Sequence, residues 1–350
     1  MDFCIVLPRD AIEGGRLGER KELISMEYRA MGDSELKVSV TGLGGNTFGP
    51  PRLDEEMSIK CIHEALDLGI NFVDTSLKYG QGQSEIFLGK ALEGRHGEML
   101  IATKYNLRHA VAGSVAAHIT KQCDESLRKL KADHIDLYQG GISPDIALEE
   151  LLAALDKLIQ EGKVRYIGAM NSASWRLAQA IDTAHVAGLP AFVSNQHNYN
   201  MVRRHVELEV LPMCDAYNVG FLPNATLAGG YLTDKYSKGQ DAPAGTRGAA
   251  GSPMVARTRT SEHEDIHDAL KGWAHDHGHT LGELALAWIS SRPEVSSVLT
   301  GVSSPQQVQD NVRAGEWKLT REETGEVNKL ASWEGDFERI EGSIRQPGEG

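Results

Sequence analysis

Short apolar segments alternate with helical patterns along almost the whole chain, and this alternation constrains the fold more than any other feature. Eight segments have the length and composition of strands buried on both faces. Between them, apolar residues recur at helical spacing, as at Cys61, Ala65 and Leu68 within 54–68. Eight such units favour a closed (β/α)8 TIM barrel over an open sheet. The predicted strands are Val40–Leu43, Asn71–Asp74, Leu100–Lys104, Ile135–Gln139, Tyr166–Met170, Phe192–Gln196, Gly220–Pro223 and Val295–Leu299.

An N-terminal β-hairpin is predicted before the first barrel strand. Glu27–Met31 and Leu36–Val40 flank the turn residues Gly32-Asp33-Ser34. Helical patterns also lie between the later strands, as the alternation requires. They cover 118–131, 146–161 and 174–187.

The chain divides into three parts by sequence pattern. Residues 1–25 show no periodicity and are predicted to be an N-terminal extension, whereas 26–335 carry the barrel and 336–350 form a C-terminal tail. Within the barrel, 234–260 is rich in Gly, Ala, Pro and Ser and is predicted to be a long loop. Loops of that length in compact domains commonly have a function, such as covering a site.

Composition limits the partners of this chain. Asp and Glu total 49 against 36 Lys and Arg, a net charge of −13, so nucleic acid and anionic membrane surfaces are not expected partners. No apolar run reaches the roughly 20 residues of a membrane-spanning helix. Cys4, Cys61, Cys123 and Cys214 are far apart, which is typical of reduced thiols and predicts a cytoplasmic location. The sequence does not exclude a homo-oligomer.

Three ionisable residues lie where a barrel would place catalytic groups, at the carboxyl ends of its strands. Asp74 ends the second predicted strand, Tyr79 follows it, and Lys104 ends the third. An ammonium group close to a phenol lowers the pKa of the phenol, and a carboxylate holds the lysine charged and oriented. These residues therefore suit acid–base chemistry on a small molecule. The alternative is a structural Asp–Lys ion pair with Tyr79 packed at the rim.

Several short motifs occur in a fixed order from the first strand to the seventh. They are Gly42–Gly49, Gly69–Ser76, Tyr79-Gly80, Ser84-Glu85, Ile101–Lys104, Asp136–Gln139, Gly162–Gly168 and Leu227–Gly230. This series, which runs within Met26 to about Leu330, resembles the aldo-keto reductases. The resemblance implies a barrel that binds extended NADP(H) at its mouth without a Rossmann fold. It also implies that Asp74, Tyr79 and Lys104 are catalytic.

The resemblance implies a set of cofactor contacts at strand ends and in the following loops. Asn171 and Gln196 match the contacts to the carboxamide, and Lys235 and Arg247 match basic residues near the phosphates. The segment after strand eight resembles an adenosine-phosphate site, although an ordinary helix N-cap would use the same residues. The full set is Asn46, Asn171, Gln196, Leu227, Gly229, Lys235, Arg247, Ser303, Gln307, Asp310 and Asn311.

Several positions depart from the family pattern around the expected nicotinamide. Gly141 stands where the family usually has a histidine, and Met170 replaces a serine. Asn224 replaces the aromatic residue that stacks on the nicotinamide, and Ala225 replaces the next serine. Loss of a stacked ring costs about 1 kcal/mol of affinity. Either the cofactor binds differently, or the pocket serves different chemistry.

Two groups of histidines invite further hypotheses. His197, next to Gln196, could replace the missing histidine, or it could be an ordinary histidine at the rim of the pocket. His263-Glu264-Asp265-Ile266-His267 fits the zinc motif H-E-x-x-H. The resemblance places that segment in a helix on the barrel exterior, where no third ligand or cleft is evident. We therefore predict no metal site.

The leading hypothesis for function is NADPH-dependent reduction of a carbonyl or a related unsaturated group, with Tyr79 as proton donor. Two alternatives remain open. One is a non-reductase acid–base enzyme, such as a lyase, dehydratase or isomerase. The other is a non-catalytic nucleotide-binding regulatory protein. A purified protein that carries or titrates NADPH would favour the reductase, whereas turnover without any nicotinamide would favour the acid–base enzyme.

Overall fold

Eight parallel strands form a closed barrel, in agreement with the sequence prediction. The computed structural model describes residues 26–111 and 113–331, so the predictions for 1–25 and 336–350 lie outside the described residues. The strands are β3 (Thr41–Gly44), β4 (Phe72–Asp74), β5 (Leu100–Lys104), β6 (Ile135–Gly140), β7 (Val164–Met170), β8 (Phe192–Asn198), β9 (Gly220–Asn224) and β10 (Val298–Gly301). They follow one another in chain order from β3 to β9, and β10 pairs with β3.

The barrel closes between β9 and the segment that precedes β10. Phe221 and Val295 form a single parallel bridge, in which the Phe221 carbonyl accepts a hydrogen bond from the Ser296 N–H at 3.0 Å. The strand predicted at Val295–Leu299 therefore begins three residues later, at Val298. Val295 pairs through a single bridge. This apolar residue therefore contributes to the barrel wall but does not belong to the continuous strand.

Helices follow the strands and cover the outside of the barrel. Their apolar faces pack against the strands, as Leu151, Leu155 and Leu158 do in α4 (Leu148–Gln160). The predicted loop 234–260 is irregular except for the short helix α7 (Pro253–Thr258) near its end. The helices are α1 (Glu55–Asp67), α2 (Gln83–Ala91), α3 (Val115–Leu130), α4 (Leu148–Gln160), α5 (Ser174–Ala187), α6 (Val210–Ala216), α7 (Pro253–Thr258), α8 (Ser261–Asp276), α9 (Leu281–Ser290), α10 (Pro305–Glu316) and α11 (Arg321–Leu330). None of the described helices combines the length and apolar character needed to cross a membrane.

The predicted hairpin is present and closes the amino-terminal end of the barrel. Its strands, β1 (Tyr28–Ala30) and β2 (Lys37–Ser39), pair antiparallel. Met31, Leu36 and Val38 are buried against side chains from the barrel interior. These interior side chains are Phe72, Ala102, Leu137, Leu222 and Leu299.

The turn of the hairpin lies tight against the barrel at Gly32. Its φ is +53°, and a Cβ atom there would lie 2.5 Å from the Val193 carbonyl oxygen and 2.6 Å from the Gly220 nitrogen. Only glycine fits this position without displacing backbone. With this end blocked, the carboxyl ends of the strands form the open mouth, and polar side chains gather there.

Candidate active site

A buried ion pair lies at the mouth of the barrel. Lys104 Nζ donates to Asp74 Oδ2 at 2.5 Å and to the Thr75 carbonyl oxygen at 2.9 Å. Asp74 ends β4 and Lys104 ends the adjacent β5, so neighbouring parallel strands place the two side chains together. Both residues are buried. Removal of either partner would leave a buried charge unpaired, which costs several kcal/mol.

The second oxygen of Asp74 is bound by two glutamines. Gln139 Nε2 donates to Asp74 Oδ1 at 3.0 Å, and Gln196 Nε2 donates to the same atom at 2.8 Å. Asn224 Nδ2 in turn donates to Gln196 Oε1 at 3.0 Å. With Lys104, five strands therefore contribute to one hydrogen-bonded group. Sequence reasoning missed Gln139, although its position at the end of the fourth barrel strand is the available signal.

Tyr79 lies beside this group in the loop after β4. Its ring centroid is 4.8 Å from Lys104 Nζ, which stacks over the ring. The backbone turns sharply behind it, because Gly80 has φ of +55° and Gln81 has φ of +56°. A Cβ atom on Gly80 would lie 2.0 Å from the Phe48 carbonyl oxygen. The close approach of the β3 and β4 loops therefore fixes the position of Tyr79.

The pKa values in this group favour a neutral phenol and a charged ammonium. Burial raises the pKa of Tyr79 above its ordinary value, although the charge of Lys104 acts in the opposite direction. The expected net lowering of the Tyr79 pKa is therefore wrong: burial outweighs the lysine. Burial lowers the pKa of Lys104, but Asp74 and Tyr79 outweigh it, so the net pKa of Lys104 is raised. Tyr79 therefore holds its proton at neutral pH.

Arginines gather on the side of the mouth formed by β3 and β10. Arg247 Nη2 is 4.0 Å from the position that a Cβ atom on Gly301 would take, and Asn46 Oδ1 is 2.9 Å from it. Arg52 donates to the Asn46 carbonyl oxygen at 3.2 Å. Burial and the nearby charge of Arg52 lower the pKa of Arg247. Sequence reasoning found Asn46 and Arg247 but missed Arg52, which approaches them only in the folded chain.

The segment after β10 begins helix α10 beside this cluster. Ser304 caps α10 by accepting a hydrogen bond from the Gln307 N–H at 3.3 Å. Ser303 donates from its N–H and hydroxyl to Gln307 Oε1 at 2.8 Å and 3.0 Å. Asp310 pairs with Arg313, and Asn311 follows it on the same helix. The ordinary N-cap is therefore present, and a helix N-terminus also suits a phosphate.

The remaining cofactor candidates lie around the mouth with different exposures. Asn171 is exposed with φ of +50°, and its backbone N–H donates to the Gln196 carbonyl oxygen at 2.8 Å. Gly229 has φ of +73° and packs against α7, with Leu227 preceding it. Lys235 is exposed in the loop that follows. These predicted cofactor residues follow the carboxyl ends of strands. Among the predicted cofactor residues, Gln196 is the one that forms a hydrogen bond with Asp74.

Two glycines shape the mouth where the family usually has a histidine. A Cβ atom on Gly140 would lie 2.2 Å from the Tyr105 ring, so this ring occupies the space of a side chain at 140. A Cβ atom on Gly141 would meet only the Met170 carbonyl oxygen, at 3.8 Å. Gly141 and Met170 line a cavity of 710 Å³ at the β5–β7 side of the mouth. Open space therefore lies at Gly141, where a histidine side chain would stand.

His197 faces away from the Asp74 group. Gln196 points toward Asp74, and successive residues of a strand point to opposite faces. The His197 ring instead contacts the Ser172 carbonyl oxygen through Nε2 at 3.1 Å. Burial lowers the pKa of His197. This geometry does not support His197 as a replacement for the missing histidine.

The histidines of the zinc-like motif are bound to backbone carbonyl groups. His263 Nδ1 contacts the Thr258 carbonyl oxygen at 2.6 Å, and His267 Nε2 contacts the Tyr231 carbonyl oxygen at 3.1 Å. Both lie in α8, outside the barrel. Within the described residues, no three His, Cys, Asp or Glu side chains cluster as metal ligands would.

Comparison with known proteins agrees with this geometry. Residues 41–332 match the model of the aldo/keto reductase family. The chain is 32% identical to a putative voltage-gated potassium channel subunit beta of Schizosaccharomyces pombe, over 88% of this chain and 94% of that protein. It is also 32% identical to the uncharacterised oxidoreductase YrpG of Bacillus subtilis, over 85% of this chain and 93% of that protein. Versiconal hemiacetal acetate reductase of Aspergillus parasiticus is 29% identical, over 85% of this chain and 95% of that protein. The chain is an oxidoreductase of the aldo/keto reductase family.

Proposed function

We propose that this protein reduces a carbonyl or a related unsaturated group with NADPH, and that Tyr79 donates the proton. The observation that carries the proposal is the buried group of Asp74, Lys104 and Tyr79 at the open end of the barrel. When bound, NADPH supplies a hydride to the carbonyl carbon, and the carbonyl oxygen then needs a proton. Tyr79 holds its proton at neutral pH and can donate it to this oxygen.

Lys104 and Asp74 act on Tyr79 rather than on the substrate in this proposal. The ammonium of Lys104 lies 4.8 Å from the Tyr79 ring and stabilises the phenolate that forms when the proton leaves. Asp74 keeps Lys104 charged and fixed through the 2.5 Å contact. Water from the mouth returns a proton to Tyr79 after the reaction.

The residues at the β3–β10 side of the mouth fit the phosphates of NADPH. Arg52 and Arg247 lie close together, and neither forms an ion pair with a carboxylate among the residues that the structure describes. Gly301 lacks a side chain beside them, which leaves room for a ligand to approach the backbone. The N-terminus of α10 adds the partial positive charge of its helix dipole. Two guanidinium groups also suit the extra phosphate of NADPH better than the ribose of NADH.

At the nicotinamide end, Gln196 takes a role different from the one that the family pattern implies. Both N–H groups of Gln196 point to protein acceptors, Asp74 Oδ1 at 2.8 Å and Gln139 Oε1 at 3.4 Å. The exposed Asn171 side chain is therefore the better candidate to bind the carboxamide. This assignment keeps Gln196 as a support for Asp74.

A titration with NADPH followed by single-turnover kinetics tests the proposal. We expect NADPH to raise the melting temperature more than NADH does, and simple aldehydes to oxidise the bound NADPH. Tyr79→Phe should slow that step at least ~10²-fold and leave NADPH affinity unchanged. Tyr217→Phe is the matched control, because Tyr217 is exposed and lies on α6 at its C-terminal end. Absence of any stabilisation by millimolar NADPH or NADH would contradict the proposal.

The hydrogen bond from Asn224 to Gln196 favours a second candidate function. An amide in place of a stacking ring leaves the Tyr79–Lys104 pair available for elimination or isomerisation without hydride transfer. The name of the Schizosaccharomyces pombe relative suggests a regulatory role as a further alternative. Turnover of a substrate without any change in NADPH absorbance would support the first of these, and tight NADPH binding without turnover would support the second.

A further inference from the structure

The proposed function uses the 710 Å³ cavity beside Asp74 only at its edge, where Asn171 lines it. Loops after β5, β6 and β7 line it, and its volume falls in the range of small-molecule sites. The cavity begins next to the strand ends that carry the proposed catalytic group. Tyr105 follows Lys104 at the end of β5, and Gly141 follows Gly140 at the end of β6. At Gly141 the cavity joins the mouth without an obstructing side chain.

The charged side chains that line the cavity are mainly cationic. Arg108 and Arg176 lie on its wall, and Asp145 is the only carboxylate among the described residues that line it. Neither arginine forms an ion pair with a carboxylate anywhere in 26–111 or 113–331. This local excess of positive charge occurs in a chain whose net charge is −13. A positive recess in an acidic protein attracts anions selectively.

Arg176 is held in place before any ligand arrives. Its Nη2 donates to the Ser143 carbonyl oxygen at 3.2 Å and to the Ile146 carbonyl oxygen at 3.1 Å, and its Nη1 donates to Gln179 at 2.9 Å. Carbonyl groups and an amide orient the guanidinium without neutralising it. An orienting contact of this kind reduces the entropy that a ligand must overcome. Arg108, in contrast, is exposed, and its side chain is free to move toward a ligand.

Two aromatic residues complete the cavity. Trp175 is 65% exposed although it borders the recess, so its indole offers a flat apolar surface. Tyr105 is 1% exposed, and its hydroxyl has no hydrogen-bond partner among the described residues. The hydroxyl oxygen is itself buried, so the cavity offers a ligand an apolar face and two cations.

We propose that this cavity binds the remote part of an anionic carbonyl substrate, with Arg108 and Arg176 as the partners of its negative charge. The inference rests on the proposed reductase function, since it assigns the class of substrate whose carbonyl reaches Tyr79. In this arrangement the carbonyl lies at the mouth, the body of the substrate passes Gly141, and an acidic group lies between the loops after β5 and β7.

A matched series of aldehydes tests the charge preference. The series contains 4-carboxybenzaldehyde, its neutral methyl ester and 4-(trimethylammonio)benzaldehyde, with 4′-formylbiphenyl-4-carboxylate and its methyl ester as a longer pair. We expect kcat/KM for at least one carboxylate to exceed that for its ester about tenfold or more, as for one charge-assisted hydrogen bond. Addition of 0.5 M NaCl should reduce this ratio, because salt screens the attraction.

Variants assign the preference to the cavity. Arg321→Gln on α11 is the matched control and should leave the carboxylate-to-ester ratio of kcat/KM unchanged. Arg108→Gln and Arg176→Gln should each lower this ratio. Arg108→Gln should reduce the ratio about threefold or more, chiefly by raising KM for the carboxylate. Arg176→Gln should reduce it further, while Arg176→Lys, which keeps the positive charge, should retain more of it than Arg176→Gln does. An unchanged ratio in both glutamine variants, or faster turnover of the esters, would overturn the inference.

Binding without turnover separates this inference from the proposed function. Terephthalate, which has no aldehyde, can be titrated calorimetrically and through the fluorescence of Trp175, with Trp175→Phe as the control for the signal. Binding that Arg176→Gln weakens, in a protein that reduces no aldehyde, would support the cavity and refute the reductase function. Reduction of neutral aldehydes without terephthalate binding would support the reductase function and overturn the cavity proposal.

Discussion

Asn224 donates a hydrogen bond to Gln196 Oε1 at 3.0 Å, and through Gln196 the end of β9 is joined to Asp74. An aromatic residue at 224 could not make this contact. The family's usual ring and the amide found here therefore have different consequences for the site. A ring stacks on a ligand, whereas the amide holds a protein side chain in position.

Asn224→Tyr tests this difference. The new ring can stack on the nicotinamide, a contact worth about 1 kcal/mol, so NADPH affinity should rise about fivefold. Loss of the contact to Gln196 should at the same time loosen the support of Asp74 and reduce the rate of the chemical step. Fluorescence titration gives the affinity, and single-turnover kinetics gives the rate. Weaker NADPH binding in this variant would show that position 224 does not face the nicotinamide.

The pH dependence of reduction should reflect the raised pKa of Tyr79. Burial raises this pKa above the ordinary value of 10.0, so the phenol keeps its proton throughout the neutral and mildly alkaline range. The rate of the reductive step should be constant there and fall only at a pH above 10, where the proton is lost. Single-turnover rates across this range provide the measurement. A fall in rate centred near neutral pH would point to a different proton donor.

The buried ion pair should contribute strongly to stability in single variants and weakly in the double variant. Lys104→Met leaves Asp74 buried with only amide partners, and we expect a loss of about 3 kcal/mol or more in the free energy of unfolding. Asp74→Asn leaves Lys104 unpaired, with a comparable loss. The double variant should be less destabilised than the sum, because neither charge then remains unpaired. Urea unfolding of the four proteins gives the coupling energy, and additive losses would contradict direct pairing.

Gly80→Ala should displace Tyr79, because its Cβ atom would lie 2.0 Å from the Phe48 carbonyl oxygen. We expect kcat to fall about tenfold or more as the loop moves. Gly94→Ala is the matched control: Gly94 has φ of +78°, but no atom lies within 4 Å of its Cβ position. It should lose about 1 kcal/mol of stability for the left-handed backbone and retain full activity. Equal kcat in the two variants would show that the crowded loop does not position Tyr79.

Adjacent glycines at the end of β6 should respond differently to substitution. Gly140→Ala would bring a Cβ atom within 2.2 Å of the Tyr105 ring and should destabilise the fold. Gly141→His enters open space and should fold normally while it fills part of the cavity. Turnover of small aldehydes should then persist or increase, and turnover of 4′-formylbiphenyl-4-carboxylate should decrease. If neither substrate class is affected, Gly141 does not border the reacting group.

The sequence predicted the parts of this structure that depend on local pattern. Strand periodicity located all eight barrel strands, and the position of Asp74 and Lys104 at the ends of neighbouring strands predicted that their side chains meet. The contacts of Gln139 and Asn224 were not predicted, because they depend on side-chain directions on four strands at once. Arg52 was missed for the same reason, since it reaches Asn46 only after the loop folds back.

The direction in which the pKa of Tyr79 shifts was also predicted wrongly. A sequence shows that a lysine is close enough to lower this pKa, but not how deeply the phenol is buried. Desolvation is a property of the assembled mouth, to which several loops contribute.

The hairpin that blocks the barrel affects how the chain folds while the ribosome synthesises it. Met31, Leu36 and Val38 are synthesised early, yet the surface that buries them includes Leu222 and Leu299. The surface that buries their apolar side chains is therefore complete only when nearly the whole barrel has emerged. Docking of the hairpin is a late event with long sequence separation, which slows folding. Until then, the nascent chain offers a natural binding site to chaperones near its N-terminus.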